Sequence, residues 1–212
     1  MKTQNLHMNA AWTRRLLTML AYAALGVSLG ASMTAVAAPD KPLAANSIYQ
    51  LSIPLMDQNG RASQLADWRG QPVLITMFYT SCEFVCPRIV EGLKRTEDGL
   101  VAGGNGRLPV LMVTFDPSRD DAAALKHAAD ERHLDDPVWT LARTDPRNVR
   151  KLAAVLGIQY RQLPSGDFNH TSVLILLDAE GRIAGRTATI GEADAAFVKL
   201  AQKVATRSGK GK

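Results

Sequence analysis

Three short runs of almost unbroken apolar residues stand out along the chain. They are 72–79 (PVLITMFY), 108–115 (LPVLMVTF) and 172–178 (SVLILLD). Runs of this length, rich in β-branched residues, are typical of strands buried on both faces of a sheet. Residues 48–55 (IYQLSIPL) instead alternate like a half-exposed strand, and 57–60 (DQNG) supply residues that suit a hairpin turn. We therefore predict three core strands preceded by an N-terminal hairpin.

Helical patterns separate the apolar runs. We predict helices over 88–99, from 116 onward, over 145–157 and over 191–205. The second and third of these begin with Asp116-Pro117 and Asp145-Pro146. In such a pair the carboxylate can cap free amide groups while proline takes the first helical position. Gly157 suits the end of the third helix.

The order of these elements indicates the fold class. Strands that alternate with helices indicate an α/β sandwich with a mixed sheet, and 178–182 (DAEGR) turns the third core strand into a further strand. The two cysteines, Cys82 and Cys86, follow the first buried strand, and we expect both on the first turn of the next helix. That is the thioredoxin arrangement. We predict a thioredoxin-like sandwich with a central mixed sheet flanked by helices.

The amino-terminal segment has the composition of an export signal. A basic start precedes an apolar run and the small residues AVA at 35–37. The run is about 20 residues long, enough to span a bilayer if it is not cleaved. We therefore assign 1–37 to a signal peptide or membrane anchor, 38–47 to a linker, 48–206 to one domain and 207–212 to a basic flexible tail. We expect a monomer in the periplasm, either released or anchored in the inner membrane.

The charge of the chain excludes one class of partner. The formal net charge is +5, but three of the 25 basic residues and none of the 20 acidic ones precede Ala38. The rest of the chain therefore carries 22 basic against 20 acidic residues, a net charge of +2. This surplus lies mostly in the terminal segment 203–212. A nucleic-acid binder usually has a basic face with interleaved aromatic residues, so we expect no nucleic-acid partner.

The cysteine pair has three candidate uses. A structural disulfide between Cys82 and Cys86 would close a very small loop and contribute only roughly 2 kcal/mol. Residues i and i+4 share a helix face, and a helix amino end favours thiolate. Thiolates serve both in disulfide exchange and as ligands of soft metals, and the spacing alone does not separate these two uses.

One histidine favours metal binding over disulfide exchange as the use of the cysteine pair. His7 lies in the signal, while His127 and His133 are six positions apart and point to different sides of a helix. His170 lies in the polar stretch before the third core strand, which in a thioredoxin-like fold abuts the cysteine helix. Two thiolates and an imidazole suit copper(I), and can hold copper(II) with a weak further ligand. Zinc could use the same three ligands with an open position.

Three motifs resemble those of a known family. In their order and spacing, 78–89 (FYTSCEFVCPRI), 113–120 (VTFDPSRD) and 167–183 (DFNHTSVLILLDAEGRI) resemble the Sco/SenC family of copper-binding assembly factors for cytochrome c oxidase. The resemblance extends over 47–204. It implies that Cys82, Cys86 and His170 are copper ligands, so that 48–206 is a copper-binding domain. It also implies oxidase subunit II as a partner, together with a periplasmic copper donor or thiol reductant.

The chain departs from the family pattern in two places. Glu83 follows the first cysteine where many members have proline, and Asn169 precedes the histidine where aspartate is common. A carboxylate beside Cys82 disfavours its thiolate, but neither change removes a ligand. Asp116 matches the family's Asp-Pro pair, although a helix cap also explains that aspartate.

The resemblance and the residues together favour one function over three alternatives. We predict a copper chaperone that supplies the binuclear copper site of cytochrome c oxidase. The alternative is a thiol–disulfide oxidoreductase that keeps the cysteines of that site reduced, with Cys82 and Cys86 as its redox pair and no need for His170. A copper or redox sensor that transfers nothing is a third class. A peroxidase is disfavoured, because Tyr79 stands where such sites usually have threonine.

Overall fold

A mixed seven-stranded β-sheet forms the centre of the protein. The computed structural model describes residues 42–134 and 137–209. The strands of the sheet are β1 (Pro54–Asp57), β2 (Ala62–Gln64), β3 (Val73–Phe78), β4 (Val110–Thr114), β5 (Trp139–Arg143), β8 (Leu174–Leu177) and β9 (Ile183–Thr187). Their order across the sheet is β2-β1-β5-β4-β3-β8-β9, and β3, β4 and β5 are mutually parallel. A separate antiparallel ribbon consists of β6 (Tyr160–Gln162) and β7 (Phe168–His170).

Helices flank this sheet. They are α1 (Val85–Ala102), α2 (Ala122–Glu131), α3 (Pro146–Leu156) and α4 (Ala195–Gly209), and short 3-10 turns occur at Ile48–Gln50 and Leu65–Trp68. The parallel crossovers β3–α1–β4 and β4–α2–β5 are expected to be right-handed, as nearly all such units are. α4 packs against α1, where Gln202 Nε2 donates to the carbonyl of Gly99 at 2.9 Å. The predicted fold class, a central mixed sheet flanked by helices, is confirmed.

The core lies where the apolar runs predicted it. Every residue of β3, β4 and β8 is buried, as expected for strands covered on both faces. β5 was not predicted, although it pairs with β4 inside the sheet and carries the fully buried Trp139. Its register places Trp139 opposite Val110 and Leu141 opposite Met112.

The N-terminal hairpin begins later than the alternating pattern indicated. Ile48–Gln50 form a 3-10 turn in which the Ser47 hydroxyl accepts the Tyr49 amide at 3.2 Å, and β1 starts only at Pro54. The turn between β1 and β2 has the expected chemistry, because the Asp57 side chain accepts the amides of Asn59 and Arg61, each at 2.8 Å. The predicted hairpin therefore exists, but it is shorter.

One predicted helix start is correct and the other is wrong. α3 begins at Pro146 with Asp145 accepting the Asn148 amide at 2.9 Å, and it ends at Gly157, which has a left-handed φ of 63°. α2, in contrast, begins at Ala122 and is capped by Asp121 rather than by Asp116. Residues 116–120 form a separate turn, in which the Asp116 carbonyl accepts the amides of Arg119 and Asp120 at 3.1 and 2.9 Å, and the turn buries the side chain of Asp120.

Two parts of the predicted organisation concern the ends of the chain. α4 continues to Gly209, three residues into the segment 207–212 that we assigned to a tail. The predicted signal or anchor, 1–37, lies outside the described residues. Among the helices of 42–134 and 137–209, none combines the length and apolarity needed to cross a membrane.

Candidate metal centre

The predicted site residues lie at the carboxyl edge of the parallel strands. The last residues of β3 and β4, Phe78 and Thr114, are paired, and the Phe115 amide donates to the Phe78 carbonyl at 2.7 Å. The cysteine loop 79–84 and the turn 115–120 therefore leave the sheet side by side. Sites in α/β proteins commonly form at this edge, where the loops after parallel strands converge.

We expected Cys82 and Cys86 on one turn of a helix, and this prediction is wrong. α1 begins at Val85, so Cys82 belongs to the preceding loop and Cys86 is the second helical residue. The sulfurs converge because the loop brings Cys82 Sγ over the helix end, where it accepts the Cys86 amide at 3.2 Å. The first amides of a helix have no partner within the helix. The Cys82 sulfur therefore serves as the cap that the N-cap residue, Phe84, does not provide.

His170 lies on a strand rather than in the predicted loop. It is the last residue of β7 and pairs with Tyr160 across the ribbon. Its Nδ1 lies 3.2 Å from the carbonyl oxygen of Thr171. Because a carbonyl only accepts, this contact uses an Nδ1 proton, and a metal would bind through Nε2 in place of the hydrogen bond that His170 makes to Cys82. The ring also packs against Phe115, with centroids 4.9 Å apart, which limits its rotation.

The three predicted ligands form one group. Each of Cys82, Cys86 and His170 offers a ligand atom, and these atoms all lie within 4.8 Å of one another. A single ion about 2.0–2.3 Å from sulfur and nitrogen spans separations close to this. Cys82 and Cys86 are buried, whereas His170 is partly exposed and forms the accessible side of the group. His127 and His133 are exposed and lie outside it.

The two thiols have opposite acidities. The hydrogen bond from the Cys86 thiol is the largest cause that lowers the pKa of Cys82, which falls from 9.0 to about 3; His170 and the amides of Cys86 and Val85 lower it further. The same hydrogen bond, together with burial, raises the pKa of Cys86 above its ordinary value. The thiolate at Cys82 is thus favoured, as expected near a helix amino end, despite the neighbouring Glu83. The pair holds one negative charge, centred on Cys82.

Tyr79 belongs to the site, although no motif in the sequence marked it as a site residue. Its side chain is buried and its hydroxyl is hydrogen bonded to Cys82. Burial, chiefly, raises the pKa of this hydroxyl, and the charge of Cys82 raises it further, so that it stays protonated and can donate to the thiolate. The ring lies 5.2 Å from that of Phe168 and edge-on to that of His170. Tyr79 therefore contacts both halves of the site.

A buried carboxylate fastens the cysteine loop to the end of β4. Asp120 is only 1% exposed. Its carboxylate accepts from the Thr80 hydroxyl at 2.5 Å, from the Thr80 amide at 3.1 Å and from the Thr114 hydroxyl. Because Thr80 lies two positions before Cys82, this carboxylate fixes the start of the cysteine loop.

The same turn also reaches the ribbon that carries His170. Arg119 forms an ion pair with Asp116 through Nε, and its Nη2 donates to the Gly166 carbonyl at 2.5 Å. Gly166 lies in the connection between β6 and β7. The turn 116–120 is therefore bonded to both the cysteine loop and the histidine ribbon. The motif VTFDPSRD was visible in the sequence, but its connecting role was not, since both contacts join residues distant along the chain.

Comparison with known proteins identifies the family. A family model described as SCO1/SenC matches residues 44–205. The chain belongs to the SCO1/SenC family. A SCO2-like protein of Rickettsia conorii is 26% identical to it over 171 residues, which cover 74% of this chain and 82% of that protein. The predicted resemblance is confirmed.

Solved structures of Sco proteins share the fold. Yeast Sco1 with copper bound has a TM-score of 0.58 at 18% identity, and the match covers 76% of this chain and 87% of that one. A Sco-family cytochrome c oxidase assembly protein with a disulfide switch has a TM-score of 0.60 at 18% identity, covering 73% of this chain and 93% of that one. At these identities the likeness establishes the thioredoxin-like architecture of this SCO1/SenC protein.

Proposed function

We propose that this SCO1/SenC protein is a copper chaperone that binds copper through Cys82, Cys86 and His170 and supplies it to the binuclear copper site of cytochrome c oxidase. The observation that carries the proposal is the convergence of the two sulfurs and one imidazole within 4.8 Å. Thiolate ligands select copper(I), and imidazole suits copper in either oxidation state. The copper bound to yeast Sco1 and the assembly role of a second structural relative give further support.

The three ligands have different roles when copper binds. Cys82 is a thiolate at neutral pH and provides the first ligand without losing a proton. Cys86 gives up its proton when it becomes the second ligand, so copper uptake releases that proton to solvent. His170 offers Nε2 because its Nδ1 is hydrogen bonded to the Thr171 carbonyl. The protein thus needs little rearrangement to assemble the three ligands.

Release proceeds by ligand exchange from the exposed side. Cys86 is 1% exposed and cannot be approached first, whereas His170 is partly exposed. A thiolate of the recipient would therefore replace His170 first, and the two cysteine sulfurs afterwards. The recipient in this proposal is oxidase subunit II. The amino-terminal segment 1–37 would direct the protein to the periplasm, where a copper donor loads it.

The test is a copper(I) titration of the reduced protein under anaerobic conditions, in competition with a chromogenic chelator. We expect one copper per chain, weaker binding by His170→Ala, and no competitive binding by Cys82→Ser or Cys86→Ser. His127→Ala is the matched control and should bind as the wild type does. Equal affinity of His170→Ala and wild type would contradict the three-ligand site.

The asymmetry of the two thiols favours a second candidate, a thiol–disulfide oxidoreductase. Cys82 has the low pKa of an attacking thiol, and the protonated, buried Cys86 suits a resolving one. Cys82 would attack a disulfide of the target to form a mixed disulfide and release one target thiolate. Cys86 would then displace the second target thiolate, losing its proton. Two electrons thereby pass to the target, and Cys82 and Cys86 become a disulfide.

His170 distinguishes the two candidates. A chaperone loses function with His170→Ala, whereas a reductase retains most of its turnover, because only the thiols exchange. The measurement is the rate at which each variant reduces the disulfide of an oxidised copper-site domain of subunit II. Turnover close to that of thioredoxin, without competitive copper binding, would favour the reductase.

A further inference from the structure

We propose that a groove running from His170 to the β1–β2 hairpin docks an extended acidic segment of the protein that exchanges copper with this site. The proposal rests on the proposed function for the nature of the partner, a copper-exchanging protein. It adds where that partner binds and which chemistry is recognised.

The groove consists of three adjoining clefts. The first, of about 400 Å³, lies beside the metal ligand and is lined by His170, Tyr160 and Arg161. The second, of about 440 Å³, shares Tyr160 and Arg161 with the first. The third, of about 530 Å³, reaches the hairpin. It shares three residues with the second cleft, namely Pro117, Ser118 and Pro146. The shared residues place the clefts next to one another along the surface, with the first cleft at a metal ligand.

The middle of the groove carries unpaired positive charge. Arg150 of α3 and Arg161 of β6 both line the second cleft and are exposed. Within residues 42–134 and 137–209, neither guanidinium has an ion-pair partner. Asn169, which faces Arg161 across the ribbon, is neutral. α3 also carries Arg147 and Lys151 and contains no acidic residue.

The carboxylates that line the groove offset these cations only in part. Asp116 lines the second cleft, but it is 3% exposed and paired with Arg119. Asp145 lines the third cleft and keeps its charge, because its oxygens accept only from the neutral Asn148, but Arg143 lines the same cleft. Three arginines, Arg143, Arg150 and Arg161, line the clefts against these two carboxylates. The lining is therefore positive on balance, and an occupant with carboxylates is complementary to it.

The far end of the groove is apolar. Met56 is 42% exposed there, although it projects from a strand, and it lies among Pro54, Pro117 and Pro146. Exposed apolar side chains next to charged ones are typical of binding surfaces. An extended segment fits both features when its acidic part lies over Arg150 and Arg161 and its apolar part lies over Met56. In that position the partner's copper ligands meet His170, the accessible ligand of the site.

A peptide titration tests the surface without copper. The probe is a short fluorescein-labelled peptide with a glutamate-rich half followed by leucines, and its counterpart carries lysines instead of the glutamates. We expect the acidic peptide to bind the wild type and to shift the amide resonances of Met56, Arg150 and Arg161. Raising the salt from about 0.01 to about 0.15 M should weaken binding, because the Debye length falls from about 30 to about 8 Å.

Matched variants make this test specific. Arg150→Glu with Arg161→Glu should weaken binding of the acidic peptide by about tenfold or more, since like charges facing each other are strongly unfavourable. Arg150→Gln with Arg161→Gln provides a milder change should the reversal disturb folding. Lys199→Glu with Lys203→Glu reverses the same number of charges on α4 and should bind as the wild type does. Unchanged binding by both arginine variants, or resonance shifts outside the groove, would overturn the proposal.

A transfer experiment connects the surface to function. Copper passes from the loaded protein to the apo copper-site domain of oxidase subunit II, and the rate is followed at low and high salt. We expect the arginine reversal to slow transfer by about tenfold or more at low salt and to remove most of the salt dependence. An unchanged rate would overturn the docking surface. A wild-type protein that passes no copper would overturn the proposed function, and the peptide titration would then decide the docking surface by itself.

Discussion

The carboxylate of Asp120 accepts hydrogen bonds from both the hydroxyl and the backbone amide of Thr80, at 2.5 and 3.1 Å. Thr80 stands two residues before Cys82, so a side chain from the turn after β4 determines where the cysteine loop begins. The same turn reaches the histidine ribbon through Arg119 and Gly166. The relative position of Cys82 and His170 therefore depends on residues that touch neither of them.

Replacing Asp120 by asparagine should weaken both the fold and the metal site. Asparagine presents an amide donor where the carboxylate accepts from Thr80 and Thr114, which should cost about 1–3 kcal/mol in the free energy of unfolding. Loss of such supporting contacts commonly lowers metal affinity about 10- to 100-fold. Urea unfolding and copper(I) competition measure the two effects. The exposed Asp130→Asn provides the control, and wild-type copper affinity in Asp120→Asn would show that the turn does not position the loop.

The sequence was sufficient to predict the core, and the three candidate ligands that it named lie together. Unbroken apolar runs are decisive when strands are buried on both faces, as β3, β4 and β8 are. Asp145, Pro146 and Gly157 bound α3 as predicted, because caps act through adjacent residues. Structure could therefore be predicted from the sequence wherever a residue's partners are near it in the chain.

Elements whose partners are distant in the chain, or whose residues are of mixed polarity, could not be predicted from the sequence. β5 contains Thr140 and Arg143, so its apolar run is too short to be recognised. The strands of the ribbon, β6 and β7, have three residues each, and Tyr160 and Phe168 are their only apolar residues, which is too short a pattern to mark a strand. Asp116 and Asp121 are both plausible N-caps from sequence. The helix starts after Asp121, and Asp120 is instead hydrogen bonded to Thr80, some 40 residues earlier in the chain.

The acidity of Cys82 predicts an unusual pH dependence of alkylation. In the reduced, metal-free protein its pKa is lowered to about 3, so the thiolate is fully formed at any pH well above that value. The rate of reaction with iodoacetamide should be nearly flat from about pH 5 to about pH 8, whereas an ordinary thiol with a pKa of about 8.5 gains about tenfold per pH unit there. Cys86, whose pKa is raised, should stay unmodified.

Peptide mapping by mass spectrometry assigns the modified cysteine, and urea-unfolded protein supplies the reference profile. A Cys82 rate that climbs with pH in the folded protein as it does in the unfolded one would contradict the thiolate assignment.

Tyr79→Phe should isolate the contribution of one hydroxyl to the thiolate. The ring and its packing on Phe168 remain, while the hydrogen bond to Cys82 is lost. We expect the pKa of Cys82 to rise, moving the acid limb of its alkylation profile to higher pH, and a stability loss of about 1 kcal/mol. Tyr160→Phe, which removes a hydroxyl from the neighbouring ribbon, should leave the profile in place. Identical profiles for Tyr79→Phe and wild type would show that the hydroxyl does not support the thiolate.

The central claim is that Cys82, Cys86 and His170 together hold one copper ion. X-ray absorption at the copper edge of the copper(I)-loaded protein tests it most directly, because sulfur and nitrogen neighbours scatter differently. The account predicts two sulfur ligands and one nitrogen ligand in the wild type, and loss of the nitrogen alone in His170→Ala. A nitrogen contribution that persists in His170→Ala, or a wild-type spectrum with fewer than two sulfurs, would contradict it.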